Sequence, residues 1–352
     1  MNVAVIGAGV IGCAVAHELA SRGAAVTVFE RRGVARGASW ASAGVLAPWI
    51  EAQESGPLLH LCAESLAMYD GFVERIRQDG APAFEYARPG TLEAAFTGDQ
   101  VEALQRTAQA LVSRGVRAAW LDRGEAREAE PALGDTVAGA LRIDGHGFAE
   151  MPGLVTALSV AARQRGASFH APADVSKIEP AAGGMVRLHV TGEQQTFDRV
   201  VIAGGSWSNR LKAGAGAVKP VKGQLLRLRF DAPPASRVLW SEDCYMVPWQ
   251  DGTLLVGATM EDAGFDERPT SAAIETLLAA AARLMPATRG ATFVDARAGL
   301  RPAPAGGGLP EIGPSPVLAN VTIATGHFRN GVLLAPLTAA RVAAQVLGER
   351  DA

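Results

Sequence analysis

A short apolar strand, a glycine-rich turn, a helix of small residues and a second strand closed by an acid follow one another at the start of this chain, and few folds accept that opening. The strand is Val3-Ala4-Val5-Ile6, the turn Gly7-Ala8-Gly9-Val10-Ile11-Gly12, the helix runs to Gly23, and Ala25 to Phe29 leads into Glu30. The pattern is a βαβ unit with the spacing GxGxxG. Gly7 permits a sharp turn after the strand, Gly9 lets backbone approach a pyrophosphate, and Gly12 lets helix pack closely on strand. The helix presents free N–H groups and the positive end of its dipole, and so favours an anion. Glu30, 18 residues past Gly12, can accept from both ribose hydroxyls of an adenosine, which argues against a 2′-phosphate. The unit implies dinucleotide binding without deciding between FAD and NAD.

The 352 residues are 48% apolar and carry a net charge of −3, ordinary for a globular chain large enough to divide its core. That balance makes no electrostatic case for nucleic acid. Cys13, Cys62 and Cys244 lie far apart and form no CxxC, so neither a disulfide framework nor a structural zinc is indicated and a reducing cytoplasm is expected. His17, His60, His146, His170 and His189 have no metal-ligand spacing, and no metal is expected. The apolar run from Val3 to Ala16 lacks a basic leader and is broken by the fingerprint glycines, so it reads as neither a signal peptide nor a membrane span.

Farther along, residues 36–48 are rich in glycine, alanine and serine and poor in charge, too much so for a core element; such a texture lets a chain lie flat against a planar ligand, the alternative being a surface loop. Helices are expected over Leu58 to Arg77, Asp99 to Ser113, Met151 to Arg165 and Ser271 to Met285, each with apolar residues at helical spacing. A hairpin-like pair, Met185 to Val190 and Gln195 to Ala203, ends in the double glycine Gly204-Gly205. An apolar strand ending in glycines is how α/β sheets receive a ligand, so Gly204 joins the candidate cofactor residues. Gln224 to Phe230, Tyr245 to Trp249 and Thr253 to Met260 alternate as in an antiparallel sheet. Pro302 to Gly308 is loop by composition.

Four stretches then coincide: the opening fingerprint with Glu30, the run Ser42 to Pro48 (SAGVLAP), the strand ending Val200 to Gly205, and the pair Ala298 to Pro302 (AGLRP) and Gly326 to Pro336 (GHFRNGVLLAP). Together they resemble the glycine oxidases of the D-amino-acid oxidase group of flavoproteins over essentially the whole chain. The resemblance implies non-covalent FAD, since no cysteine follows Cys244 to tether it as in related sarcosine oxidases. It implies an α/β protein: a Rossmann-like FAD-binding domain (1–82, 146–220 and 297–352) with a discontinuous substrate domain built on an antiparallel sheet (83–145 and 221–296).

By the same resemblance Val10 and Ile11 supply amides to the pyrophosphate, Glu30 and Arg31 hold the ribose, Ala38, Ser39, Ala43, Gly44 and Val45 line the flavin, and Val175 pairs with adenine. His327, Phe328, Arg329, Asn330, Gly331, Val332 and Leu333 form the loop and helix start at the pyrimidine end of the ring. Tyr245, Arg301 and Arg329 bind and orient a substrate carboxylate, and Met260 is a pocket wall. Asp243 stands where the matched oxidases can carry a histidine, and the Ala303 to Gly308 loop lacks their usual threonine and Asp-Gly. The expected reaction is oxidative deamination of glycine or a small N-substituted glycine such as sarcosine or iminodiacetate. The α-hydride passes to flavin N5 and O2 is reduced to H2O2. Two alternatives stay open: a D-amino-acid dehydrogenase delivering electrons to a quinone, and a non-catalytic flavin-binding protein. The expected partners are a small amino acid or amine and O2, and a homo-oligomer is compatible with the chain.

Overall fold

The computed structural model describes residues 1–51 and 56–349. Residues 52–55 and 350–352, which fall in the expected FAD-binding segments, lie outside the described residues.

A six-stranded sheet organises the first half of the fold, in the spatial order Glu311–Pro314, Val321–Thr325, Arg199–Ile202, Asn2–Ile6, Ala25–Phe29 and Ser168–His170. Its strands are parallel except Glu311–Pro314. Both faces are covered, and the alternation of each strand feeds two cores. Val3 and Val5 face helices Val10–Ser21, Gly153–Gln164, Pro57–Gln78 and Ala335–Leu347, while Ala4 and Ile6 face a small antiparallel sheet of Val175–Pro180, Val186–Val190 and Glu193–Phe197. The expected single run from Gln195 to Ala203 is therefore two strands in two sheets. The chain changes sheet at Asp198, whose backbone N–H donates to Asn2.

The second body is an eight-stranded sheet ordered Thr292–Pro304, Val218–Arg229, Thr253–Gly257, Tyr245–Pro248, Val238–Trp240, Thr91–Ala95, Gly139–Ile143 and Ala118–Asp122. It is antiparallel apart from the pair Val238–Trp240 and Thr91–Ala95. Helix Ser271–Leu284 packs on one face through Leu277, Ala281 and Leu284. Strand Thr292–Pro304 pairs with Val218–Arg229 from end to end, so it crosses the position 297 at which the sequence pattern divides the chain. It also takes in Pro302 and Pro304, expected as loop. The strand is at the sheet's edge, where a missing N–H leaves no neighbour unbonded. The 36–48 run likewise contains more than loop: a turn of 3₁₀ helix at Ala38–Ala41 and a strand Val45–Leu46 paired with Gly147–Ala149, with Leu46 and Ala47 fully buried. No helix among the described residues is long and apolar enough to cross a membrane.

Candidate functional site

One elongated cavity runs between the two bodies, from Glu30 and Val175 at one end to Tyr245, Arg301 and Arg329 at the other. Its first end is made where the parallel strands finish. Gly7 turns with φ +106°, and a Cβ there would sit 2.4 Å from the Ala203 carbonyl oxygen; a Cβ on Gly12 would sit 1.9 Å from the Gly7 carbonyl oxygen. Both contacts are with backbone, so only hydrogen fits. Gly9, Val10 and Ile11 border the cavity, and the helix N-cap at Gly9 has no side-chain cap. Its first turn is left to offer N–H groups to an anion. One of those groups is already engaged, because Val10 N donates to Ser39 Oγ at 3.0 Å. Glu30 accepts from Ala8 N and Arg32 N, both at 2.9 Å, which fixes its carboxylate at the cavity edge with lone pairs to spare. A tight glycine cradle, an uncapped helix start and an oriented acid are what a dinucleotide requires, so the residues present fit one.

The cavity wall continues through Ala38, Ser39, Ala43, Gly44 and Val45 on one side and Gly204 on the other. The Ala38–Ala41 turn is fastened to the eight-stranded sheet. Arg297 lies with Cζ 4.2 Å from the Trp40 ring centroid, and Gly299 admits Ala41 so closely that a Cβ would come within 2.9 Å of it. His327, Phe328, Gly331 and Val332 line the same region. His327 is fully packed, Nε2 meeting Thr338 Oγ1 at 3.0 Å, and burial lowers it to about 4, so its ring is neutral above that.

Strand register assembles the other end. Glu93, Trp240, Tyr245, Gly257, Leu225 and Arg297 form one row across the sheet. Arg301 and Val221, paired two steps from Gly299 and Gly223, therefore share that face. Two glycines let the long side chains lie flat. An added Cβ on Gly257 would be 2.5 Å from Tyr245 Cζ, and one on Gly223 would be 2.2 Å from Arg301 Cζ. Arg301 Nη1 donates to Thr259 O at 3.0 Å, and Tyr245 leans on Trp240 with ring centroids 5.0 Å apart. A planar donor fork and a phenol on one sheet face can take a carboxylate. Gly223→Ala tests this geometry. The clash falls on the far end of a flexible side chain, so the fold should survive while the guanidinium shifts. We expect a roughly tenfold loss of kcat/KM with near-normal melting temperature, measured by initial rates beside thermal unfolding.

Most expected site residues are brought together here, Arg31 and Met260 included, although Met260 is 61% exposed and stands at the mouth. Gly12, Asn330 and Leu333 do not border the cavity: Gly12 lies behind Gly7, and Asn330 and Leu333 are packed beneath the loop. Trp207, Trp240, Ser241 and Cys244 border it without having been expected. For Trp207 the signal was present, two residues after Gly205 at the end of an apolar strand. The other three depend on register, which sequence alone does not supply.

The chain is similar to known proteins along nearly its whole length. A glycine oxidase of Geobacillus kaustophilus is 36% identical over 347 residues, covering 97% of this chain and 92% of that protein. A crystal structure of glycine oxidase from the same organism superposes with a TM-score of 0.94 at 35% identity, over 99% of this chain and 95% of the other. An iminodiacetate oxidase from Chelativorans sp. BNC1 superposes at 0.90 with 28% identity, over 99% and 96%. Residues 2–345, which carry both the glycine cradle and the arginine face, match the FAD dependent oxidoreductase family, and the chain belongs to it.

Proposed function

We propose that this protein is an FAD-dependent amino-acid oxidase acting on glycine or a small N-substituted glycine, with O2 as electron acceptor. The observation that carries the proposal is the placement of Tyr245 and Arg301 on one sheet face at the far end of a cavity whose other end is built for a dinucleotide. Similarity to glycine oxidases and to an iminodiacetate oxidase supports the substrate class. FAD, when bound, would supply a two-electron acceptor for the substrate's α-hydride that O2 could reoxidise, with H2O2 as the product.

The chain's own residues do the rest. Arg301 takes the carboxylate with its free guanidinium edge, Tyr245 adds a hydroxyl contact, and Arg329 approaches from the cavity rim. Held at the carboxylate, a glycine has one rotational freedom left, and the Trp240–Tyr245 stack limits it. No protein base is required, because the neutral amine's lone pair forms the imine as hydride departs, and water then releases the keto acid and ammonia or a primary amine. FAD is held without a covalent bond in this reading. Cys244 borders the cavity, but burial pushes its thiol up to about 11, and its backbone N–H donates to Ser241 Oγ at 3.2 Å, so the sulfur stays protonated and unreactive.

Purified protein should be yellow and should release FAD on acid denaturation. Mixing it anaerobically with glycine, sarcosine, iminodiacetate, D-alanine and D-proline, then admitting air, ranks the amines and tests the acceptor together. We expect the glycine-type amines to bleach the flavin fastest and air to restore the colour with peroxide formed. A wide margin for D-proline would overturn the substrate class, and a reduced flavin that persists in air until a quinone is added would identify a dehydrogenase.

A further inference from the structure

Residues 262–269 leave the eight-stranded sheet and return to the same place. The outgoing foot is pinned by paired bonds between Lys222 and Glu261, 2.9 Å each way, and by Thr259 N to Gln224 O at 3.2 Å. The returning foot is pinned by the same glutamine: Thr270 N donates to Gln224 Oε1 at 2.8 Å, and Gln224 Nε2 donates to Glu261 Oε1 at 2.7 Å and to Thr270 Oγ1 at 3.2 Å. Gln224 is buried, so both feet share one rigid base.

The tip crosses to the other body. Glu267 accepts from Arg32 Nη1 at 2.5 Å, and Phe265 packs on Trp207 with centroids 5.7 Å apart. Arg31 and Arg32 hold their guanidinium carbons 5.1 and 4.7 Å from the same indole. Trp207, Arg31 and Arg32 are cavity wall at the nucleotide end, whereas Phe265 remains 55% exposed, outside it. An exposed aromatic laid on a tryptophan of the other body, itself faced by two arginines, buries too little area to be explained by packing alone.

We propose that this segment is a strap that retains the cofactor: the Glu267–Arg32 and Phe265–Trp207 contacts clasp the nucleotide-end wall and set how fast FAD leaves, not how fast substrate turns over. The inference rests on the FAD reading above. While the clasp is closed, the wall cannot swing away from the sheet along this edge; opening it costs one half-exposed ion pair and one aromatic contact.

The test is the rate of FAD loss from the holoenzyme, followed by the rise in flavin fluorescence after dilution, for wild type, Glu267→Gln, Phe265→Ser and the double variant. Release should quicken by about two- to fivefold for Glu267→Gln and about tenfold for the double variant. The kcat at saturating FAD should stay within about twofold of wild type. Salt should quicken wild-type release towards the Glu267→Gln rate and leave Glu267→Gln little changed, a comparison that stands even if Phe265→Ser folds poorly. Unchanged release in Glu267→Gln together with salt-independent wild-type release would overturn the strap. A wild-type protein that purifies without FAD would instead overturn the cofactor reading on which it rests.

Discussion

Arg301→Ala should lower kcat/KM for glycine by about 30- to 1,000-fold while FAD content stays near normal. Charge-assisted hydrogen bonds are worth about 1.5–3 kcal/mol each, and misorientation of a small substrate adds to the loss, giving roughly 2–4 kcal/mol. The structure sharpens the expectation in two ways. Arg301 is half-buried and spends Nη1 on Thr259 O, so its position is set before substrate arrives. It also lies on an edge strand of the eight-stranded sheet, a different sheet from the one that ends in the glycine cradle, so its loss should spare the cofactor end. Arg301→Lys should recover little, because an ammonium keeps the charge but not the planar fork. Glycinamide offers the same check from the ligand's side. Full activity in a flavin-loaded Arg301→Ala enzyme, or equal use of glycine and glycinamide, would place the carboxylate anchor elsewhere.

Gly12→Val should give protein with less than about a tenth of the wild-type flavin. The new Cβ would stand 1.9 Å from the Gly7 carbonyl oxygen, and Gly7 cannot retreat, since it is itself pressed against Ala203. Nor can the helix withdraw, because Val10–Ser21 is packed into the core shared with Gly153–Gln164 and Ala335–Leu347. Overpacking of this kind costs about 1–3 kcal/mol or more, and here the displaced atoms are the ones that shape the pyrophosphate turn. Gly98→Ala is the control. That glycine begins a helix with nothing within 4 Å of its absent Cβ, so flavin per chain, read from the visible absorbance, should match wild type. Equal flavin in both variants would remove the cradle argument.

The two variants also mark how far the sequence could be read. The Gly12 environment was legible because GxGxxG is a local device: turn, helix start and acid follow within 30 residues, and each glycine's task is set by its neighbours. Arg301 was singled out only through likeness to a family, since an arginine in a strand has no local signature of substrate binding. What could not be read at all was register. The row that joins Trp240, Tyr245 and Gly257 involves three separate strands, and nothing in the alternation of any one strand says which residue of the next it will face. Register also explains the extra length of Thr292–Pro304. Composition speaks for a loop at Pro302, but an edge position tolerates what a central one would not.

The order of strands in the parallel sheet has a consequence for how the chain is made. Asn2–Ile6, made before the other strands of its sheet, sits in the middle, with Ala25–Phe29 on one side and Arg199–Ile202 on the other. Val321–Thr325 joins beyond Arg199–Ile202, and the helix Ala335–Leu347 then seals the core against Val10–Ser21. The opening βαβ unit thus waits for a neighbour almost 200 residues away, and its packing is completed only by the last helix. Contacts so distant in sequence close slowly. A nascent chain of this design exposes apolar strand edges through most of its synthesis, which makes it a natural client for chaperones and a poor subject for C-terminal truncation.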